Sequence, residues 1–262
     1  MKANPSDWYK HGWSLDIKNM SWVEDTENQV DFIVKTLRLT GSEKILDLAC
    51  GYGRHALSFA RRGYHVVGVD ITKEYIDDAT KTAKSEGLNA KFICSDIRDI
   101  KFENELAPDP VWFDVVLNMA DGAIGYLEND EENLKIFDVI ANALKPGGKH
   151  FMDVCSADHA AACFPKRYWE IGEKEFAFAQ FEWNPESRTM LFAGGGFRYG
   201  ETASRPADPA EFVGNPTRLY STAELSDIFA QRGMEIVNTF SDYTGKQASD
   251  KELQLMVYSQ KK

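Results

Sequence analysis

Ile45-Leu46-Asp47-Leu48-Ala49-Cys50-Gly51-Tyr52-Gly53-Arg54-His55-Ala56 is the stretch from which the fold is read. Apolar residues around one aspartate make a short β-rich run, two glycines make a turn, and a helical pattern follows. Glycines behind a buried strand let the backbone approach a ligand closely, because no Cβ stands in the way. The next helix turns its free N–H groups toward the same point. Gly51-x-Gly53-x-x-Ala56 also satisfies the dinucleotide fingerprint. The loop alone therefore leaves two cofactor classes open.

Outward from this loop, strand and helix patterns alternate. Runs at 44–49, 65–69, 91–94, 113–117 and 150–154 predict strands, and the last follows a Lys145-Pro146-Gly147-Gly148 break. Between them, helices are predicted over 54–62, over 72–87 with Tyr75, Ile76, Ala79 and Ala83 on one face, and over 129–144 with Leu134, Phe137 and Ile140 inward. Upstream, Thr26-Glu27-Asn28-Gln29 fits a capping box that opens a helix running to about residue 39. Such alternation implies a mostly parallel sheet covered on both faces.

After residue 155 the rhythm breaks. Alternation at 176–181, a turn at Asn184-Pro185-Glu186-Ser187 and a run at 188–193 predict an antiparallel hairpin. Gly194-Gly195-Gly196 and the Pro-rich 205–216 read as mobile connection. Ser221-Thr222-Ala223-Glu224 is a second capping box, and runs at 235–240 and 253–258 predict a closing antiparallel pair. The expected organisation is one domain, 1–262. It comprises an N-terminal aromatic segment and helix (1–43), a cofactor-binding core (44–155), a hairpin insertion or lid (156–216) and a C-terminal helix with a strand pair (217–262).

A net charge of −11 argues against a nucleic-acid partner, which needs a clustered basic face. The four cysteines show no CxxC spacing, so they read as reduced thiols, not as a disulfide framework or zinc site. No metal-spaced His or carboxylate cluster stands out, so a metal-free protein is expected. The first residues lack the apolar stretch of a secretory signal, and no apolar run approaches membrane-spanning length. The expectation is a cytoplasmic protein with no membrane partner.

Of three carboxylates, two separate the cofactor classes, as does the complete helix ahead of the first strand. Asp70, ending the second strand, suits ribose hydroxyls in either class. Asp47, ahead of the glycines, would repel a pyrophosphate but welcome a cationic amino-acid moiety. Asp96, in Cys94-Ser95-Asp96-Ile97, stands where it can accept from an adenine amino group.

With these residues in place, the sequence resembles the class I S-adenosylmethionine-dependent methyltransferases. The resemblance rests on the 47–53 loop, Asp70-Ile71, Asp96-Ile97, Phe113-Asp114-Val115-Val116 and Leu144-Lys145-Pro146-Gly147-Gly148. It implies an α/β, Rossmann-like fold with a seven-stranded, mostly parallel sheet, helices on both faces and an antiparallel hairpin insertion. It also implies S-adenosylmethionine as cofactor, S-adenosylhomocysteine as product, and no metal. The glycine loop (Asp47, Ala49, Cys50, Gly51, Gly53) would cradle the methionyl portion. Asp70 with Ile71 would hold the ribose, and Asp96 with Ile97 would read adenine. Asn118 would border cofactor and acceptor.

No Asn-Pro-Pro-Tyr type motif follows Asp96-Ile97-Arg98, which argues against adenine or glutamine-amide acceptors. The acceptor is expected to be a small molecule methylated on nitrogen or oxygen. Candidate acceptor residues are Tyr9, Trp13 and Trp22 as an aromatic surface, with Tyr126 and Arg198 as pocket residues and His159, on a loop after the fifth strand, as a general base. The aromatic N-terminus and the 176–192 hairpin are expected to close over the site together. An NAD(P)-dependent oxidoreductase, or a non-catalytic S-adenosylmethionine-binding protein, stands as the alternative.

Overall fold

The computed structural model describes residues 1–19, 23–100, 112–172, 175–200 and 213–262. The chain opens with a two-residue strand β1 (Lys2–Ala3), followed by α1 (Thr26–Leu37), β2 (Lys44–Leu48), α2 (Arg54–Arg61) and β3 (His65–Asp70). Next come α3 (Lys73–Glu86), β4 (Ala90–Cys94), β5 (Phe113–Asn118), α4 (Asp130–Ala143), β6 (Leu144–Cys155) and α5 (Ala157–Cys163). The remainder is β7 (Lys166–Ile171), β8 (Glu175–Asn184), β9 (Thr189–Arg198), β10 (Val213–Arg218), α6 (Thr222–Ala230), β11 (Met234–Phe240) and β12 (Gln254–Lys261).

Seven strands form the main sheet in the order β11-β12-β6-β5-β2-β3-β4. Its centre is parallel, and β12 runs antiparallel between β6 and β11, so the fold is the expected Rossmann-like one. Successive side chains of β2 point to opposite faces. Ile45 enters the core beneath α1 and α2, while Leu46 and Leu48 enter the one beneath α4 and α6. Strands β2, β3 and β4 build outward in one direction, whereas β5 crosses to the other side of β2. Their carboxyl ends therefore splay at a topological switch point, where open α/β sheets bind ligands.

The insertion is larger than a hairpin. Strands β1-β10-β9-β8-β7 make a five-stranded second sheet, in which β1 pairs parallel with β10 more than two hundred residues away. Gly194-Gly195-Gly196, expected as mobile connection, lies inside β9 opposite Ala179, Phe178 and Ala177. A Cβ at Gly194 would stand 2.9 Å from the Phe192 ring, and one at Gly196 equally close to the Phe176 carbonyl. The glycines are there to let backbone and aromatic rings lie close, not to loosen the chain. Residues 213–216, also read as connection, are the first part of β10.

Thr26-Gln29 is not a capping box. Asp25 is the N-cap and gives no side-chain cap bond. Thr26 and Gln29 are instead taken by Arg54 and His55, as described below. Ser221 with Glu224 does form its capping box, and Asn129 caps α4 by accepting from the Glu132 N–H.

Candidate active site

A cavity of about 630 Å3 opens at the switch point, between the carboxyl ends of the main sheet, the second sheet and the N-terminal segment. Its floor is the loop after β2. Ala49 (φ +54°), Gly51 (+56°) and Gly53 (+79°) all adopt the left-handed conformation, which costs a non-glycine residue about 1–2 kcal/mol. Two of the three positions being glycine keeps that cost down. Gly51 faces the cavity, and a Cβ there would meet only Tyr75, at 4.0 Å. Gly53 does not line the cavity. Its Cβ would stand 2.8 Å from the Phe92 ring, so it is the packing glycine that seats α2 on β4.

Asp70 accepts from the Gly51 N–H (2.8 Å) through one oxygen and from the Thr72 N–H (2.8 Å) through the other. It thus fixes the glycine loop, with the Thr72 hydroxyl as a third donor, and one of its lone pairs stays free at the cavity wall. Burial pushes its carboxyl up, against those two amide donors. Ile71 lines the cavity beside it. Asp47 sits 1 % exposed beneath α2, and neither of its oxygens has a hydrogen-bond partner. Burial pushes its carboxyl up to about 7, although the Arg54 charge and the nearby Ala56 amide, which lies outside hydrogen-bonding geometry, pull it back. Arg54 is held from α1, where its Nη1 donates to Thr26 Oγ1 (2.9 Å) and Gln29 Oε1 (2.7 Å). His55 Nε2 lies 2.8 Å from the same Gln29 oxygen, and burial with the Arg54 charge drives this imidazole far below its ordinary range. His55 is therefore neutral.

At the β4 end, Asp96 and Ile97 line the cavity, but Asp96 has a protein partner the sequence did not reveal. Arg98 donates to it through Nε (3.0 Å) and Nη2 (2.6 Å), and also pairs with Glu128 (3.0 Å) and Glu132 (2.6 Å). Burial works to raise the Asp96 carboxyl, but Arg98 outweighs it and holds the group below its ordinary value. Tyr9 donates to Glu128 (2.9 Å), tying the N-terminal segment to this network. Tyr75 donates to the Ser14 carbonyl (2.9 Å), a second tie.

Beyond β5 the chain makes a left-handed turn, with Ala120, Asp121, Gly122 and Ala123 all between φ +51° and +67°. Asn118 does not reach the cavity. It is fully buried, donates to the Gly122 carbonyl (3.0 Å) and meets His150 at 3.3 Å, so it positions the turn. Asp121 accepts from the Tyr126 hydroxyl (2.8 Å) and the Cys155 N–H (3.2 Å). Asp153, on β6, accepts from Tyr243 (2.8 Å) and Gln254 (2.8 and 2.9 Å), and burial pushes it up to about 6. Both acids line the cavity.

Of the acceptor candidates, Tyr9, Trp13 and Tyr126 line the cavity, together with Trp8. Phe181, Met190 and Phe192 of the second sheet line it as well. His159 does not. It lies in α5, 2 % exposed, with Nδ1 donating to the Asp250 carbonyl (2.9 Å), because the segment read as a loop is helical. Arg198 ends β9, exposed and outside the cavity lining. Trp22 lies outside the described residues. Arg54, Asp121 and Asp153 escaped the sequence reading; only Asp121, just past the fourth parallel strand, stood where a topological argument could have found it. Among the described residues, no group of His, Cys, Asp and Glu could hold a metal ion, and no helix is long and apolar enough to cross a membrane.

Comparison with known proteins agrees with this architecture. Residues 45–148 match the methyltransferase domain family. The ubiquinone biosynthesis O-methyltransferase of Xylella fastidiosa is 34% identical over 133 residues, 51% of this chain and 50% of that protein. The chain thus spans about half the length of the curated O-methyltransferases it matches. YqeM of Bacillus subtilis, which bears a methyltransferase name, is 24% identical over 237 residues, covering 83% of this chain and 84% of that one. An S-adenosylmethionine-dependent methyltransferase from Clostridium acetobutylicum shares the fold with a TM-score of 0.72 at 18% identity, over 94% of this chain and 96% of that one. Residues 45–148 therefore resemble a methyltransferase domain, and the whole chain shares a Rossmann-like fold with solved methyltransferases.

Proposed function

We propose that this chain, built on a class I methyltransferase domain, transfers the methyl group of S-adenosylmethionine to a nitrogen or oxygen of a small molecule. The observation that carries the reading is Asp47, a carboxylate with two buried, unpartnered oxygens lining a cavity floored by left-handed glycine turns. A buried carboxylate costs several kcal/mol unless a cation meets it, and the methionyl ammonium is such a cation. A pyrophosphate at the same place would meet a like charge, so the nicotinamide reading loses support.

The residues fit the rest of the cofactor. Asp70 keeps a lone pair for a ribose hydroxyl, Ile71 and Ile97 give apolar walls for a base, and the Arg54 charge reaches Asp47, near enough to serve a carboxylate. When bound, the cofactor supplies a methyl carbon on a cationic sulfur, which an acceptor lone pair displaces as a neutral thioether. The protein's part is to hold the acceptor in line and keep water out. Trp8, Tyr9 and Trp13 of the N-terminal segment, with Phe181, Met190 and Phe192 of the second sheet, are placed to do so. Walls of this kind suit a small acceptor better than a protein or RNA, which needs an open face.

Calorimetry with S-adenosylhomocysteine against NAD tests the reading. Micromolar binding of the former and none of the latter is expected, followed by label transfer from methyl-labelled S-adenosylmethionine in a metabolite screen. Tight NAD binding with no S-adenosylhomocysteine binding refutes it.

A further inference from the structure

Resting on that reading, we propose that the far end of the cavity selects a small cationic amine as methyl acceptor, with Asp121 as its carboxylate partner and Trp8, Trp13 and Tyr126 as its aromatic wall. Sheet order separates the two ends. Asp96 and Asp70 lie at β4 and β3 on one side of the glycine loop, and Asp121 lies past β5 on the other. A cofactor extended from Asp96 to Asp47 leaves the β5 side for the molecule that receives the methyl.

The charge of the cavity is lopsided. Its lining carries the carboxylates of Asp47, Asp70, Asp96, Asp121 and Asp153 against the single guanidinium of Arg54. Arg98 neutralises Asp96, and the Arg54 charge acts on Asp47 and Asp153. Asp121 receives the Tyr126 hydroxyl, the Cys155 amide N–H and the Cys155 thiol, and no cation of the described residues pairs with it. Three donors leave one of the carboxylate's lone pairs for a ligand.

The aromatic wall points the same way. The Tyr126 ring lies 4.9 Å from Trp8 and stacks on Trp13 at 6.3 Å, and the two tryptophans are 5.6 Å apart. Tryptophan and tyrosine faces attract ammonium groups, increasingly so when water is excluded. The Tyr126 hydroxyl, by donating to Asp121, joins wall and carboxylate into one unit. An alcohol would gain little from either, and an anionic acceptor would be repelled.

An amine binding as R–NH3+ must lose a proton before it can attack. That proton passes to a free lone pair of Asp121, whose burial favours the protonated form. The nitrogen lone pair so exposed forms the N–CH3 bond as the methyl's bond to sulfur breaks, with that electron pair staying on sulfur. The product is again an ammonium ion, R–NH2CH3+, and Asp121 returns its proton to solvent as the product leaves.

The test uses the full chain saturated with S-adenosylhomocysteine, titrated with choline and with its neutral isostere 3,3-dimethyl-1-butanol while tryptophan fluorescence and heat are followed. Choline is expected to bind at least about tenfold more tightly. Asp121→Asn, a residue that tolerates the left-handed conformation, should abolish most of that preference at unchanged S-adenosylhomocysteine affinity. Tyr126→Phe, which keeps the ring, should retain more of it. Equal binding of the pair, or binding of neither, overturns the amine assignment and leaves the methyltransferase reading intact. An undiminished preference in Asp121→Asn overturns the role given to Asp121. Failure to bind S-adenosylhomocysteine overturns the underlying reading instead.

Discussion

Asp47→Asn is expected to make the ligand-free protein more stable above neutral pH and a poorer binder at every pH. The substitution keeps the side-chain shape and removes only the ionisable oxygen. In the unfolded chain the carboxyl has its ordinary value of 3.8, whereas in the fold burial holds it near 7. The folded state therefore keeps its proton while the unfolded state loses it. Wild-type stability is full below about pH 4, falls as pH rises toward 7, and is flat above. At ~1.4 kcal/mol per pH unit the loss reaches about 4 kcal/mol by pH 8. Asparagine escapes that loss but leaves a buried amide without partners, which costs about 1–3 kcal/mol. The variant should be about 2 kcal/mol more stable than wild type at pH 8 and about 2 kcal/mol less stable near pH 4. The curves should cross between these limits. For a chain of this size the gain at pH 8 is about 5 °C in Tm. Urea denaturation at half-unit pH steps measures both curves, and calorimetry with S-adenosylhomocysteine should show affinity reduced by more than about tenfold. Parallel curves for the two proteins, with the variant weaker throughout, would refute the argument that Asp47 is a carboxylate burdened by burial and relieved by its ligand.

Two further outcomes follow from the geometry. Gly53→Ala must place a Cβ 2.8 Å from the Phe92 ring at φ +79°, so it should cost about 2–4 kcal/mol by chemical denaturation; a neutral result would remove the packing role. Arg98→Met leaves Asp96, Glu128 and Glu132 without their shared partner. It should cost about 1–3 kcal/mol and speed proteolysis within residues 1–19, as followed by mass spectrometry; unchanged cleavage would show that the segment is held without Arg98.

The sequence by itself determined the parallel core, because a buried strand and an amphipathic helix each write their period into consecutive residues. The runs predicted from 44 to 154 lie within one or two residues of β2 to β5, and the glycine loop, Asp47, Asp70 and Asp96 stand at the cavity where the alternation put them. Only the exit from β5 and the long β6, which begins at Leu144 before its Pro-Gly-Gly, blur that agreement. Partnership was a different matter. Thr26 and Gln29 have the spacing of a capping box, but Arg54, folded in from 25 residues or more away, competes for their side chains and wins. Asp96 reads as an open acceptor, yet Arg98 and two acids from around α4 enclose it. His159 reads as a loop histidine until its ring is found donating to Asp250. Gly194-Gly195-Gly196 reads as a hinge until β8 lies beside it. Hydrophobic period is a property of neighbours in sequence, whereas hydrogen bonds, ion pairs and strand pairings form between whichever groups the tertiary structure brings together. The meeting of Asp121 with Trp8 and Trp13, on which the choice of acceptor rests, belongs wholly to the second kind: the residues stand more than a hundred positions apart, and no local pattern joins them.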